Sequence, residues 1–199
     1  MMTLRQMERL WQSRAYDRMV AELLPLRPEA SRTLVPMLRS APAAAALVML
    51  RIDELGQGGS GLSQSLLREI LLAQQPDGGW IDPVTSALCI KALASSAGRG
   101  IVIDRGMKYL ANLQKPEGVW PIEPLRRLPA DAYVSAYVLF CVGDLESFQS
   151  AVRFDEAVMW MEAHDSEFDQ DTRTLWKGAQ RRITLSRALL GRATVASWS

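Results

Sequence analysis

"QQPDGGW" at residues 74–80 returns forty residues later as "QKPEGVW" at 114–120, with Gln, Pro, an acid, Gly and Trp in the same order and at the same gaps. Each copy follows a run of apolar residues at helical spacing, and the runs themselves align, Leu67 with Met107 and Ile70 with Leu110. After each Trp comes a second apolar run. "TSALCIKALASSAG" starts at 85 and "VSAYVLFCVGD" at 134, and they share a Ser-Ala pair at 86–87 and 135–136. The unit is helix, turn, helix, and a fixed period of this size marks a repeat architecture.

The turn residues have physical work to do. Pro stops the first helix, and Gly supplies the permissive backbone needed just past its end. The Gln amide can satisfy carbonyls left unpaired there. The Trp ring covers the junction with a broad apolar surface and one N–H donor. Repeated, such a turn fastens neighbouring hairpins side by side.

Working outward, the rest of the chain is also helical in period. Leu4, Met7, Leu10 and Trp11, then Ala15, Met19 and Leu23, predict one amphipathic helix ended by Pro25 and Pro28. "PAAAALVMLRIDEL", 42–55, is a second helix, its four consecutive alanines suited to close packing, and "GQGGSG" stops it. Further helices are expected at about 62–75, 84–97, 103–114, 131–142, 152–164 and 171–190, with no strand or hairpin pattern. The organisation read from this is a single α/α repeat domain over 1–199. It holds a degenerate hairpin at 1–57, two clear ones at 62–98 and 103–145, and a degenerate one at 151–190.

Composition narrows the function classes. Hydrophobic residues make up 48% of the 199, enough for a real core, and the net charge of +1 supplies no global field for nucleic acid. Cys89 and Cys141 are the only cysteines and sit in apolar helical runs, which fits a reducing compartment rather than a disulfide scaffold. Charges interrupt the first segment, so it does not read as a secretory signal, and no apolar run reaches the length of a bilayer span. A cytoplasmic protein without stable membrane insertion is expected.

"RGMKYLANLQKPEGVW", 105–120, resembles the QW motif of squalene–hopene and oxidosqualene cyclases, and "LLREILLAQQPDGGW", 66–80, is a second copy with a looser beginning. The same repeat occurs in protein prenyltransferase β subunits and class II diterpene cyclases. The resemblance covers about residues 62–145. It implies an all-α fold, an α/α toroid or a partial toroid of about four helical hairpins. Outer helices would lie at 62–75, 103–114 and 152–164, and inner helices would line an apolar cavity. Gln74, Trp80, Gln114 and Trp120 would be the structural pairs. Four hairpins would leave an arc, closed by a protein partner or by a homo-oligomer, or binding a hydrophobic small molecule.

Class II cyclases protonate a polyene with an Asp in a D-x-D-D-T motif at the start of an inner helix, where a buried acid must be kept neutral. "FDQDTRTLW", 168–176, fits that motif in neither register, although Asp171 and Thr172 match its last two residues. Asp131 follows a QW turn at the right place, but alone. Asp131 and Asp171 are therefore the candidate acids, set against the simpler reading of Asp82, Asp131 and Asp171 as helix N-caps. Tyr133, Tyr137, Phe140 and Trp176 are the aromatic candidates for a cavity wall that could stabilise a cation. Tyr133, Tyr137 and Phe140 share one helical stripe, which equally describes a core face.

Prenyltransferases bind zinc through Asp, Cys and His. Here His164 is the only histidine and no Asp-x-Cys occurs, so no metal or cofactor is expected. "GQGGSG", 56–61, follows a helix rather than a strand and reads as a linker. "DSEFDQD", 165–171, lacks the Gly and Glu of a calcium loop. Acids gather between Asp144 and Asp171, while Arg173, Lys177, Arg181, Arg182, Arg187 and Arg192 follow without one, as either a solvated helix pair or a docking surface. The terminal Trp198 lies in an apolar tail. Two functions stand: a non-catalytic binding or assembly module, or a small isoprenoid or polyene cyclase or isomerase using Asp131 as general acid.

Overall fold

The structure is a computed structural model that describes residues 2–23, 38–95 and 100–196, with side chains as far as Leu189. The described residues form ten α-helices, and their only β-type pairing is an isolated bridge between Pro121 and Ala130. The fold is all-α. The helices are α1 (Leu4–Gln12), α2 (Tyr16–Leu23), α3 (Ala41–Glu54), α4 (Gly61–Leu72), α5 (Pro83–Ala94), α6 (Gly100–Leu113), α7 (Ala132–Val142), α8 (Glu146–Ala151), α9 (Phe154–Ala163) and α10 (Gln170–Ala196). The chain divides into two compact units, Met1–Gly106 and Met107–Ser199, and the division falls inside α6.

In the first unit α3 is the hub, packed against α2, α4 and α5. Ala43, Ala44, Ala45 and Ala46 are wholly buried, and their small methyls let helices approach on several sides. Ser40 caps α3, accepting from the Ala43 N–H at 3.3 Å, and Pro42 sits near its start, where a missing N–H costs nothing. α5 is mostly apolar and buried on nearly every side, with Lys91 at its half-exposed edge.

The first segment differs from its sequence expectation. Periodicity predicts one helix, but the chain breaks at Ser13–Ala15 into α1 and α2. Arg14 takes a left-handed φ of 54°, the Ala15 N–H donates to Leu10 C=O, and the Arg14 N–H donates to Trp11 C=O. This is a Schellman closure with Arg where Gly is usual, so the sequence carries no stop signal. The expected stop at Pro25 and Pro28 lies outside the described residues.

In the second unit α7 is buried on nearly every side and packs along α10, with α9 also against it. Gly178 makes that approach possible, because a Cβ there would stand 2.9 Å from the Phe140 ring. Phe148 is fully buried and stacks on Trp120 with centroids 6.1 Å apart. It lies on α8, a short helix that the periodicity does not reveal.

Candidate functional site

Each Gln–Trp turn is a fastener built from the same bonds. In the first, Gln74 Nε2 donates to Gly78 C=O and to Val102 C=O, both at 2.9 Å, so the turn is closed on itself and tied to the start of α6. In the second, Gln114 Nε2 donates to Gly118 C=O at 2.7 Å and to Arg153 C=O at 3.0 Å, at the start of α9. Trp80 Nε1 donates back to Ile70 C=O at 2.7 Å, and Trp120 Nε1 to Leu110 C=O at 2.8 Å. Both indoles are fully buried. Each removes on the order of 200 Å² from water, worth about 5 kcal/mol before entropy is counted.

Glycine is required at both turns for two reasons. Gly78 and Gly118 hold φ of 95° and 84°. A Cβ on Gly78 would meet Arg105 C=O at 2.5 Å, and one on Gly118 would meet the Ala157 N at 2.3 Å. The turn therefore lies backbone to backbone on the next helix. An arginine then reaches back over it: Arg105 Nη2 donates to Gln75 and Pro76 carbonyls, and Arg153 Nη1 to Pro116 C=O.

The helix after each turn is locked by a serine. Ser86 Oγ accepts the Trp80 N–H at 2.8 Å, and Ser135 Oγ accepts the Trp120 N–H at 2.9 Å. The sequence separation is six in the first case and fifteen in the second. The extra residues form a loop closed by the Asp131 N–H donating to Trp120 C=O and pinned by Lys115 Nζ donating to Leu128 C=O at 2.7 Å.

The third turn abandons the device. Asp165 lies in the short turn that follows α9. Its Oδ1 is buried and has no hydrogen-bond partner among the described residues. Arg173 does the closing instead: its Nη2 lies 3.1 Å from Asp165 C=O, 3.4 Å from Ser166 C=O and 2.9 Å from Phe168 C=O. One long cation on the following helix thus reaches back over this turn, as Arg105 and Arg153 do over the other two. His164 closes the end of α9, its Nδ1 2.8 Å from Trp160 C=O and its ring stacked on Trp160.

The candidate acids fall at the starts of α7 and α10. Asp131 is half-buried, and its Oδ1 accepts the Val134 N–H at 2.8 Å, which makes it the N-cap of α7. Asp82 caps α5 in the same way through the Thr85 N–H at 2.7 Å. Asp171 is not the cap of α10. That place belongs to Asp169, which accepts the Thr172 N–H at 2.7 Å, and Asp171 sits inside the first turn. The sequence reading of Asp171 as the cap is thus corrected to Asp169, because several acids near a helix start compete for one cap.

The carboxylates of Asp171, Asp169 and Asp131 all act on the charge of one further group. The Tyr133 phenol oxygen is buried without a hydrogen-bond partner among the described residues. Burial pushes its pKa up, and the carboxylates of Asp171, Asp169 and Asp131 push it further, so the phenol stays protonated. Of the other aromatic candidates, Tyr137 and Trp176 are buried side chains of the α7–α10 interior. Phe140 lies against Gly178 and under the Arg182 guanidinium, 5.3 Å from the ring centre. Among the described residues no group of three or more His, Cys, Asp or Glu is placed to hold a metal ion, and no helix is long and apolar enough to cross a membrane.

Against models of protein families, curated proteins and solved structures, the chain finds no match.

Proposed function

We propose that the chain is a non-catalytic α/α repeat module of the terpenoid-cyclase type that works by binding or assembly. The observation that carries this is the engagement of Asp131. Its carboxylate accepts a backbone N–H of its own helix at 2.8 Å, the task of a structural cap. The aromatic stripe supports the same reading, since Tyr137 and Trp176 are spent on packing. Incubation with prenyl diphosphates and linear polyenes tests it. The expected result is no product. Turnover that vanishes in Asp131→Asn would overturn it.

One observation favours a second reading, a small isoprenoid or polyene cyclase or isomerase. The buried Tyr133 phenol, which has no hydrogen-bond partner among the described residues and feels the carboxylates of Asp171, Asp169 and Asp131, is a polar group open to a ligand. Under that reading Asp131 is the general acid and Tyr133 faces the substrate. The same assay, repeated with Tyr133→Phe, separates the two.

A further inference from the structure

We propose that the second unit pairs with a second copy of this chain, the outer face of α9 in one copy lying along the outer face of α10 in the other. The proposal rests on the assembly reading above and names its partner.

α9 exposes Asp155, Glu156, Met159, Glu162 and Ala163. At helical spacing these form one narrow stripe, acidic along its edges with Met159 at the centre. Met159 is 59% exposed, a large apolar side chain open to solvent among the described residues. α10 exposes Lys177, Arg181, Leu185, Ala188 and Leu189. These also fall on one side of their helix, away from the buried Thr172, Trp176, Ala179 and Ile183. Leu185 and Leu189 are 59% and 66% exposed. Arg173, Arg182 and Arg187 turn to their own chain, onto the third-turn carbonyls, Asp144 and Asp155 respectively. Lys177 and Arg181 instead share the outer stripe with the leucines.

The two stripes fit one another. One is acidic on both sides of Met159; the other is basic at Lys177 and Arg181 and apolar toward Leu185 and Leu189. α9 is about 15 Å long, and the α10 stripe from Lys177 to Leu189 runs about 18 Å at the usual helical rise. Each stripe repels its own kind, so neither pairs with itself. A two-fold axis satisfies both at once, α9 on α10 and α10 on α9, which closes the assembly at a dimer. Charge sets the register and the partner, and the Met–Leu contact supplies the apolar part of the junction.

The test is sedimentation velocity on the full chain at several concentrations and salt levels. The wild type should dimerise, less so at high salt. Glu156→Lys with Glu162→Lys should weaken self-association by about tenfold or more, and so should Lys177→Glu with Arg181→Glu. The two reversed variants mixed together should form a heterodimer, because both junctions then regain opposite charges. Leu185→Ser with Leu189→Ser should weaken association without reversing any charge. Circular dichroism confirms that each variant is folded. A wild type that stays monomeric, reversed variants that dimerise as well as wild type, or a mixture that fails to pair would each overturn the proposal. None of these outcomes bears on the turnover assay, which decides the non-catalytic reading on its own.

Discussion

Gln114 holds Arg153 from both sides of one peptide residue: its Nε2 donates to the Arg153 carbonyl at 3.0 Å, and its Oε1 accepts the Arg153 N–H at 2.7 Å. The same amide also closes its own turn on Gly118, so one buried side chain satisfies three backbone groups. Gln74 makes the two donations and is less buried. Gln114→Leu keeps the bulk and removes the bonds. It should cost about 2–4 kcal/mol, against about 1–2 kcal/mol for Gln74→Leu, since buried unpaired groups carry their full desolvation penalty. Urea unfolding midpoints at constant slope measure the difference.

Glycine substitutions should separate conformational strain from collision. Gly56 has a φ of 67° and nothing within 4 Å of a built Cβ, so Gly56→Ala should cost about 1–2 kcal/mol from backbone strain alone. Gly118→Ala adds a collision with the α9 backbone. It should cost clearly more, on the order of 3 kcal/mol or above. Equal effects in thermal or urea unfolding would contradict the backbone-to-backbone docking of the turn.

The pH dependence at Asp82 runs opposite to that of a carboxylate held by an ion pair. Burial raises its folded-state pKa above the ordinary 3.8, overcoming hydrogen bonds from Thr85 and Val84. The folded state then holds its proton longer than the unfolded state. Stability from this group is fully present below 3.8 and is lost as pH climbs through the raised folded value. Asp82→Asn keeps a capping oxygen but does not titrate. Wild-type stability measured relative to Asp82→Asn should therefore fall as pH rises from below 3.8 toward neutrality, and a flat difference would contradict it.

Arg173 predicts a specificity that charge alone does not give. Its guanidinium spreads over three carbonyls, two of them within 3.1 Å. Lys is a point donor and does not reproduce that fork. Arg173→Lys should lose most of what Arg173→Ala loses, about 2 kcal/mol, read from chemical unfolding. Full rescue by Lys would show that only the positive charge matters.

Much of this was legible in the chain because short-range chemistry wrote it. The Gln, Gly and Trp spacing gave both turns, and the Ser-Ala pair pointed to Ser86 and Ser135 despite the longer second loop. What escaped was set by contacts across the fold. The left-handed Arg14 breaks a good amphipathic period with no glycine to announce it. Arg173 resembles any surface arginine until its three carbonyls converge on it. Asp169 displaces Asp171 as the cap because only backbone geometry chooses between neighbouring acids. Tyr133 reads as one more aromatic on a stripe, and only the packing isolates its hydroxyl.

The most direct measurement is amide and indole hydrogen exchange by ¹⁵N NMR, with the Trp80 and Trp120 indoles assigned through Trp→Phe variants. Both indole N–H groups point at carbonyls inside the molecule at 2.7 and 2.8 Å. They should persist in D₂O far longer than the indole of Trp160, and Gly118→Ala should shorten the lifetime at Trp120. Rapid exchange at either indole would contradict the account of the paired turns as the fasteners of this fold.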